Sequence, residues 1–259
     1  MRRYLLLLVP LLTGLWYGCG KDDPPPCATA GAFQGKVCKE YRYQNDTFVG
    51  TISWDWSGDE LLAKRFITDK KKEVSYVLYT NDNPQHFRTE TTYNVSTGQS
   101  VIFRKWETDS SGNTIRFWEN KDTFDLFRSY QRDSLGRVEF MEEEHNGEPA
   151  FSEAYFYDST DSLYKALRYD GTTGSLIAVF RIAHYMNSRR TDTYDANNNL
   201  TGYETWQYEQ GKVVSIARHN ASDALVSDQT FRYNSYGLLW KQSTTDSSGT
   251  TFRSEFNYF

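Results

Sequence analysis

The sequence is short of most things that build a globular interior or a reaction centre. Its 259 residues hold 3 Cys, 4 His, 3 Met and 6 Pro, and only 38% are hydrophobic. A core of Leu, Val and Ile is therefore thin, and a proline-rich stalk is excluded beyond the first few dozen residues. No excess of positive charge exists either, because 29 Lys+Arg face 34 Asp+Glu for a formal net charge of -5. That balance excludes a basic nucleic-acid binder. The sequence has no Gly-Lys-Ser/Thr phosphate loop, Gly-x-Ser-x-Gly elbow or His-Glu-x-x-His helix. What it has is aromatic: 19 Tyr, 16 Phe and 7 Trp make up 16% of the chain.

The one long apolar run lies at the start. Arg2 and Arg3 precede Tyr4 to Leu12, and the segment closes on Trp16-Tyr17-Gly18. The run is shorter than the ~20 residues that span a bilayer and contains Pro10, so residues 1–18 are predicted to be an export signal. Cys19 after the small Gly18 resembles the cleavage site of bacterial lipoproteins, whose new N-terminal cysteine is acylated. Trp16 and Tyr17 depart from that pattern, which favours smaller residues. Lys21-Asp22-Asp23 directly behind the cysteine resembles the export signal of Bacteroidetes surface lipoproteins. The resemblance implies an outer-membrane lipid anchor at Cys19 and a cell-surface location. Pro24, Pro25 and Pro26 then make a stiff spacer, so residues 19–38 are predicted to be a tether. Cys27 and Cys38 remain, in an exported chain where disulfides persist. They are expected to pair and to staple the tether to the first strand. Zinc is disfavoured, since no histidine lies near the two thiols and tetrahedral sites need four ligands.

From Tyr43 to Tyr258 an aromatic slot recurs at intervals of about 12.6 residues, each followed by a cluster of Asp, Asn, Ser and Gly. The clusters include Ser57-Gly58-Asp59, Asp109 to Asn113, Asp133 to Gly136, Asn146-Gly147, Asp195 to Asn199 and Asp246 to Gly249. Such residues tolerate positive φ or bond their own turn backbone, so they reverse the chain. Links this short force antiparallel neighbours. Residues 39–259 are thus predicted to be all-β, an antiparallel meander of about seventeen short strands with almost no helix. A flat sheet of that many strands at ~4.8 Å would be about 80 Å wide, and twist makes such a sheet curl. The expected shape is a twisted, coiled or partly rolled sheet.

Tyr157-Asp158, Tyr169-Asp170 and Tyr194-Asp195, with Asp133-Ser134-Leu135-Gly136-Arg137-Val138, resemble degenerate YD repeats of the RHS superfamily. The resemblance spans roughly residues 40–259 and implies hairpins stacked into a long spiralling sheet. The self-cleaving segment and toxin tail of the large RHS proteins have no counterpart here, so it implies architecture and not toxin function.

No residue set points to catalysis, a metal or a cofactor. His145, His184 and His219 occupy aromatic slots and read as packing residues. Glu142-Glu143-Glu144 beside His145 reads as a solvated strand, because alternation sends neighbours to opposite faces. A membrane-spanning barrel is disfavoured, since stepping back by twos from Phe259 meets Asn257, Glu255 and Arg253 where lipid would lie. The expected function is non-enzymatic binding or scaffolding for protein or glycan at the cell surface, with Trp54, Trp56, Trp106, Trp118, Trp206 and Trp240 as candidate platforms. The alternatives are a carbohydrate-active hydrolase, which needs a cleft with two carboxylates, and an accessory or remnant of an RHS-type toxin system.

Overall fold

The computed structural model describes residues 35–82, 86–121 and 123–258, and among them there is no helix. Eighteen strands run in chain order: β1 (Val37–Gln44), β2 (Thr47–Ser57), β3 (Glu60–Thr68), β4 (Glu73–Asp82), β5 (Phe87–Asn94), β6 (Ser100–Thr108), β7 (Thr114–Lys121), β8 (Phe124–Arg132) and β9 (Val138–His145). They continue with β10 (Glu148–Tyr157), β11 (Leu163–Asp170), β12 (Leu176–Tyr185), β13 (Ser188–Asp195), β14 (Leu200–Glu209), β15 (Lys212–Asn220), β16 (Leu225–Tyr233), β17 (Leu239–Asp246) and β18 (Thr251–Tyr258).

Each strand pairs antiparallel with the next, as the short turns require, and β18 pairs back onto β1 from Gln44↔Phe252 to Val37↔Tyr258. The sheet is a closed barrel, which corrects the expectation of a coiled or partly rolled sheet. Closure removes both edge strands, whose unpaired N–H and C=O groups an open sheet would leave to solvent or to other chains. Around the ring the registers accumulate a stagger of about 18 residues, equal to the strand number. The same one-to-one ratio tilts the strands of an eight-strand barrel by about 36°. At that tilt and ~4.8 Å per strand the backbone cylinder is about 34 Å across.

The described side chains do not pack the centre of a cylinder this wide. Among the described residues the buried apolar ones are only Cys38, Ile52, Ala63, Met141 and Ala166, and no large side chain is fully enclosed. Side chains converge inside a cylinder and diverge outside it, so the more shielded face is the inner one. Seven of the nine buried side chains (Cys38, Glu40, Ile52, Met141, Glu143, Glu153 and Ala166) share one face by strand register and alternation, while Ala63 and Asn257 belong to the other. Local pairs replace the missing core. Tyr76 stacks on Tyr93 at 5.0 Å, and Arg88, Arg189 and Arg168 lie over the rings of Trp106, Trp206 and Phe151 at 4.4, 4.1 and 4.3 Å. Cross-strand pairs contribute about 0.2 to 1 kcal/mol each and cation–π contacts a similar amount at exposed sites. Stability is therefore distributed around the ring.

The turns are as repetitive as the strands. At Asp109, Asp133, Asp158, Asp195, Asn220, Asn234 and Asp246 the side-chain Oδ1 accepts the N–H of the residues two and four places on, at 2.8–3.0 Å. The residue three places on has positive φ in all seven and is Gly, Asn or Asp. The Asx side chain thus closes each five-residue loop from within, and the residue two places on is left at the apex.

Candidate functional site

The outward face carries charge midway along most strands, with Arg65, Lys105, Arg116, Lys165, Arg181 and Arg253 all on it. A lipid-facing Arg or Lys at the bilayer midplane costs about 2 to 4 kcal/mol. The outer wall is thus charged where a lipid-facing band would be apolar.

Over β6 to β9 that face sinks into a depression of about 780 Å³, lined by Phe103, Lys105, Arg116, Trp118, Asn120, Asp125, Phe127 and Glu144. Register builds it. Lys105 stands opposite Trp118, Trp118 opposite Phe127 and Phe127 opposite Glu144, which sets one row of same-face side chains across four strands. The Trp118 and Phe127 rings lie 5.3 Å apart at 43°, and Lys105 Nζ sits 5.2 Å from the Trp118 ring. Phe103 is 37% exposed. Asn120 Nδ2 donates to Asp125 Oδ1 at the rim of the depression. An apolar floor ringed by donors and acceptors of both signs suits a ligand with alternating C–H faces and hydroxyls, or a peptide with an aromatic anchor.

The inner face carries a different arrangement. Its carboxylates are matched by guanidinium groups: Glu40 with Arg42 at 2.8 Å, Glu90 and Glu119 with Arg104, Glu143 with Arg128, Glu153 with Arg168 and Glu204 with Arg218. Burial opposes the charge on Arg104 and Arg128, but the hydrogen bonds they donate to their glutamates, with the attraction of those charges, outweigh it and hold both above the ordinary value. Burial pushes Tyr79 and Tyr155 well above the usual phenol range, reinforced by Glu90 and Glu153, so both stay protonated donors. It pushes Lys64 down against the pull of Glu90 and Glu40; its Nζ lies 3.8 Å from the Trp54 ring. Each deeply placed acid has a cationic partner. Among the described residues no three His, Cys, Asp or Glu side chains converge as a ligand set.

The acidic run divides as alternation dictates, Glu142 and Glu144 outward and Glu143 and His145 inward. Glu143 is not solvated, however. It is 4% exposed and binds His145 Nε2 at 2.6 Å as well as Arg128, because the inner wall gathers the Arg of the neighbouring strand onto it. His219 stacks on Tyr203 at 4.7 Å and His145 tilts against Phe124 at 5.0 Å.

The six candidate tryptophans do not form one platform. All are half-buried; Trp54, Trp56, Trp106, Trp206 and Trp240 face inward, and Trp118 alone faces out. Trp54 and Trp56 stack at 6.3 Å and 14°, with Lys64 and Lys36 already against them. Phe103 and Phe127, the partners of Trp118, were not singled out by the sequence; the signal that finds them is register. Cys38 is 5% exposed on β1, disulfide-bonded, with Sγ 3.4 Å from Asn257 O on β18. Cys19, Lys21, Asp22, Asp23 and Cys27 lie outside the described residues.

No protein-family model matches the sequence, and no curated protein sequence does. Solved structures do align. A porin-like protein from Bacteroides uniformis matches with a TM-score of 0.45 and 6% identity, over 87% of this chain and 98% of that one. A porin-like protein from Bacteroides vulgatus gives 0.34 and 8%, over 86% and 98%. The TcdB2-TccC3 structure gives 0.38 and 10%, over 81% of this chain but only 15% of that one. Function is not transferable at these identities.

Proposed function

We propose that the chain is a lipid-anchored barrel on the outer surface of the cell envelope, which binds a glycan or a protein without chemically altering it. The observation that carries the binding is the Trp118–Phe127 pair set in an outward depression among Lys105, Arg116, Asn120, Asp125 and Glu144. The anchoring rests on the sequence from Cys19 to Pro26, and the charged outer wall supports it, since membrane attachment then has to come from the chain ahead of the barrel. The pairing of the inner carboxylates with Arg supports a non-enzymatic role. A glycosidase needs one carboxyl free to donate a proton and another free to attack or activate water, whereas Glu40, Glu90, Glu119, Glu143, Glu153 and Glu204 are each engaged by an arginine. Cys27 is the proposed partner of Cys38.

Screening the purified chain on a glycan array tests the site. Trp118→Ala is expected to abolish the recognised spots, and Trp206→Ala, on the inner face, to keep them. Equal loss in both variants, or none in either, refutes the assignment. Fractionation of cells carrying Cys19→Ser tests the anchor, with the protein expected to leave the membrane fraction.

A further inference from the structure

The two rims of the barrel differ. Four apolar side chains exceed 60% exposure in the described residues, Leu135 (67%), Tyr185 (63%), Met186 (97%) and Tyr236 (86%). Single exposed apolar residues are ordinary on protein surfaces. Their placement here is not. Leu135, Met186 and Tyr236 lie on turns that follow the even-numbered strands β8, β12 and β16, and Tyr185 is the last residue of β12, so all four sit on one rim. Leu135 and Tyr236 occupy the same apex position of the Asx-closed loop, two residues after Asp133 and Asn234. On the opposite rim the most exposed apolar side chains, Leu225 and Phe252, reach only 51% and 49%.

The apolar rim is also where the chain enters. β1 starts there, and Lys36 bonds Gly58 O and Asp59 on the β2–β3 turn of the same rim. One strand turns the ring by about 20°, so the tips at β8–β9, β12–β13 and β16–β17 cover an arc of about 160°. The tether dock at β2–β3 lies about 80° beyond the last of them and about 120° from the first. Four points thus surround the opening. Cys27 lies only eight positions after Cys19; with Cys27 bonded to Cys38, a chain that short spans at most about 28 Å.

We infer that this rim rests on the bilayer surface, with Leu135, Tyr185, Met186 and Tyr236 inserted at the level of the lipid headgroups. The inference rests on the proposed anchor at Cys19. Leu and Met side chains partition toward acyl chains, while Tyr prefers the boundary where one end is apolar and the other wet. The barrel axis then stands along the membrane normal, and the small, polar turns of the other rim face outward.

The test separates the rim from the acyl group. The mature chain from Gly20, with Cys27 and Cys38 left oxidised and an N-terminal hexahistidine in place of lipid, is docked on vesicles of phosphatidylethanolamine, phosphatidylglycerol and a nickel-chelating lipid. An environment-sensitive fluorophore is placed at Met186→Cys on one rim or at Ser248→Cys on the other, and shallow doxyl-lipid quenching is read. Quenching at 186 is expected to exceed that at 248 by about threefold or more, as for a group at the headgroup boundary. A label at Ser111→Cys, on the apolar rim, is expected to lose its quenching when Leu135, Tyr185, Met186 and Tyr236 are all changed to Ser. Equal quenching at 186 and 248, or unchanged quenching at 111, overturns the rim contact even if the cellular protein is acylated. Intact mass without an acyl group refutes the anchor alone and leaves the vesicle result standing.

Discussion

The closed ring can be tested by a bond that only closure permits. Tyr41 on β1 and Glu255 on β18 are paired in register although they lie 214 positions apart in the chain. Antiparallel partners lie about 4.5 to 5.5 Å apart at Cα, inside the range a disulfide bridges. In an open sheet of eighteen strands the same two positions would stand about 80 Å apart. Tyr41→Cys with Glu255→Cys is therefore expected to oxidise within the molecule, while Tyr41→Cys with Thr251→Cys, four residues out of register, is not. A loop of this length removes loop-closure entropy worth up to about 5 kcal/mol from the unfolded chain. For a chain of this size that corresponds to a rise in Tm of roughly 10 to 20 °C. Non-reducing gels and peptide mass mapping read the bond, and thermal unfolding with and without reductant reads its effect. Only intermolecular product, or equal yield from the out-of-register pair, refutes closure.

Turn chemistry gives a pH prediction. Asp109, Asp158, Asp195 and Asp246 are held below the usual carboxylate range by hydrogen bonds from Asn113, Thr160, Asn199 and Ser248 and from turn amides. Their contribution is present above the unfolded value near 3.9 and lost as pH falls through the lower folded values. Asn220 and Asn234 close the same loop with a neutral oxygen, so changing all four Asp to Asn is expected to flatten urea midpoints between pH 4 and pH 2 while sparing them at pH 7; an unchanged acid slope counts against the cause. Gly202→Ala places a Cβ 2.6 Å from His219 O across β14 and β15, and a loss of about 1 to 3 kcal/mol is expected in denaturant titration. Glu143→Ala leaves Arg128 and His145 without their acceptor and is expected to cost about 1 to 3 kcal/mol, with Glu143→Gln costing less.

The hairpin period was legible because turn residues carry their conformational preference locally: Asp133 to Arg137 reads as a reversal before any strand is drawn. Closure was not legible, because nothing near Tyr41 announces Glu255; their pairing depends on twist and stagger summed over seventeen intervening turns. The candidate site was half legible. Trp118 is conspicuous by type, but Phe127 becomes its neighbour only through register, and the inward turn of Trp54 and Trp206 follows from a curvature that alternation alone does not sign. Reading Glu143 as solvated failed for the same reason.

An even number of strands returns the last residue to the level of the first, and β1 and β18 lie side by side. Gaining or losing one hairpin keeps that parity, leaves the seam untouched and changes the circumference by only about 12 Å. A lineage of such barrels widens or narrows by unequal copying of a two-strand unit, with the β1–β18 seam inherited unchanged.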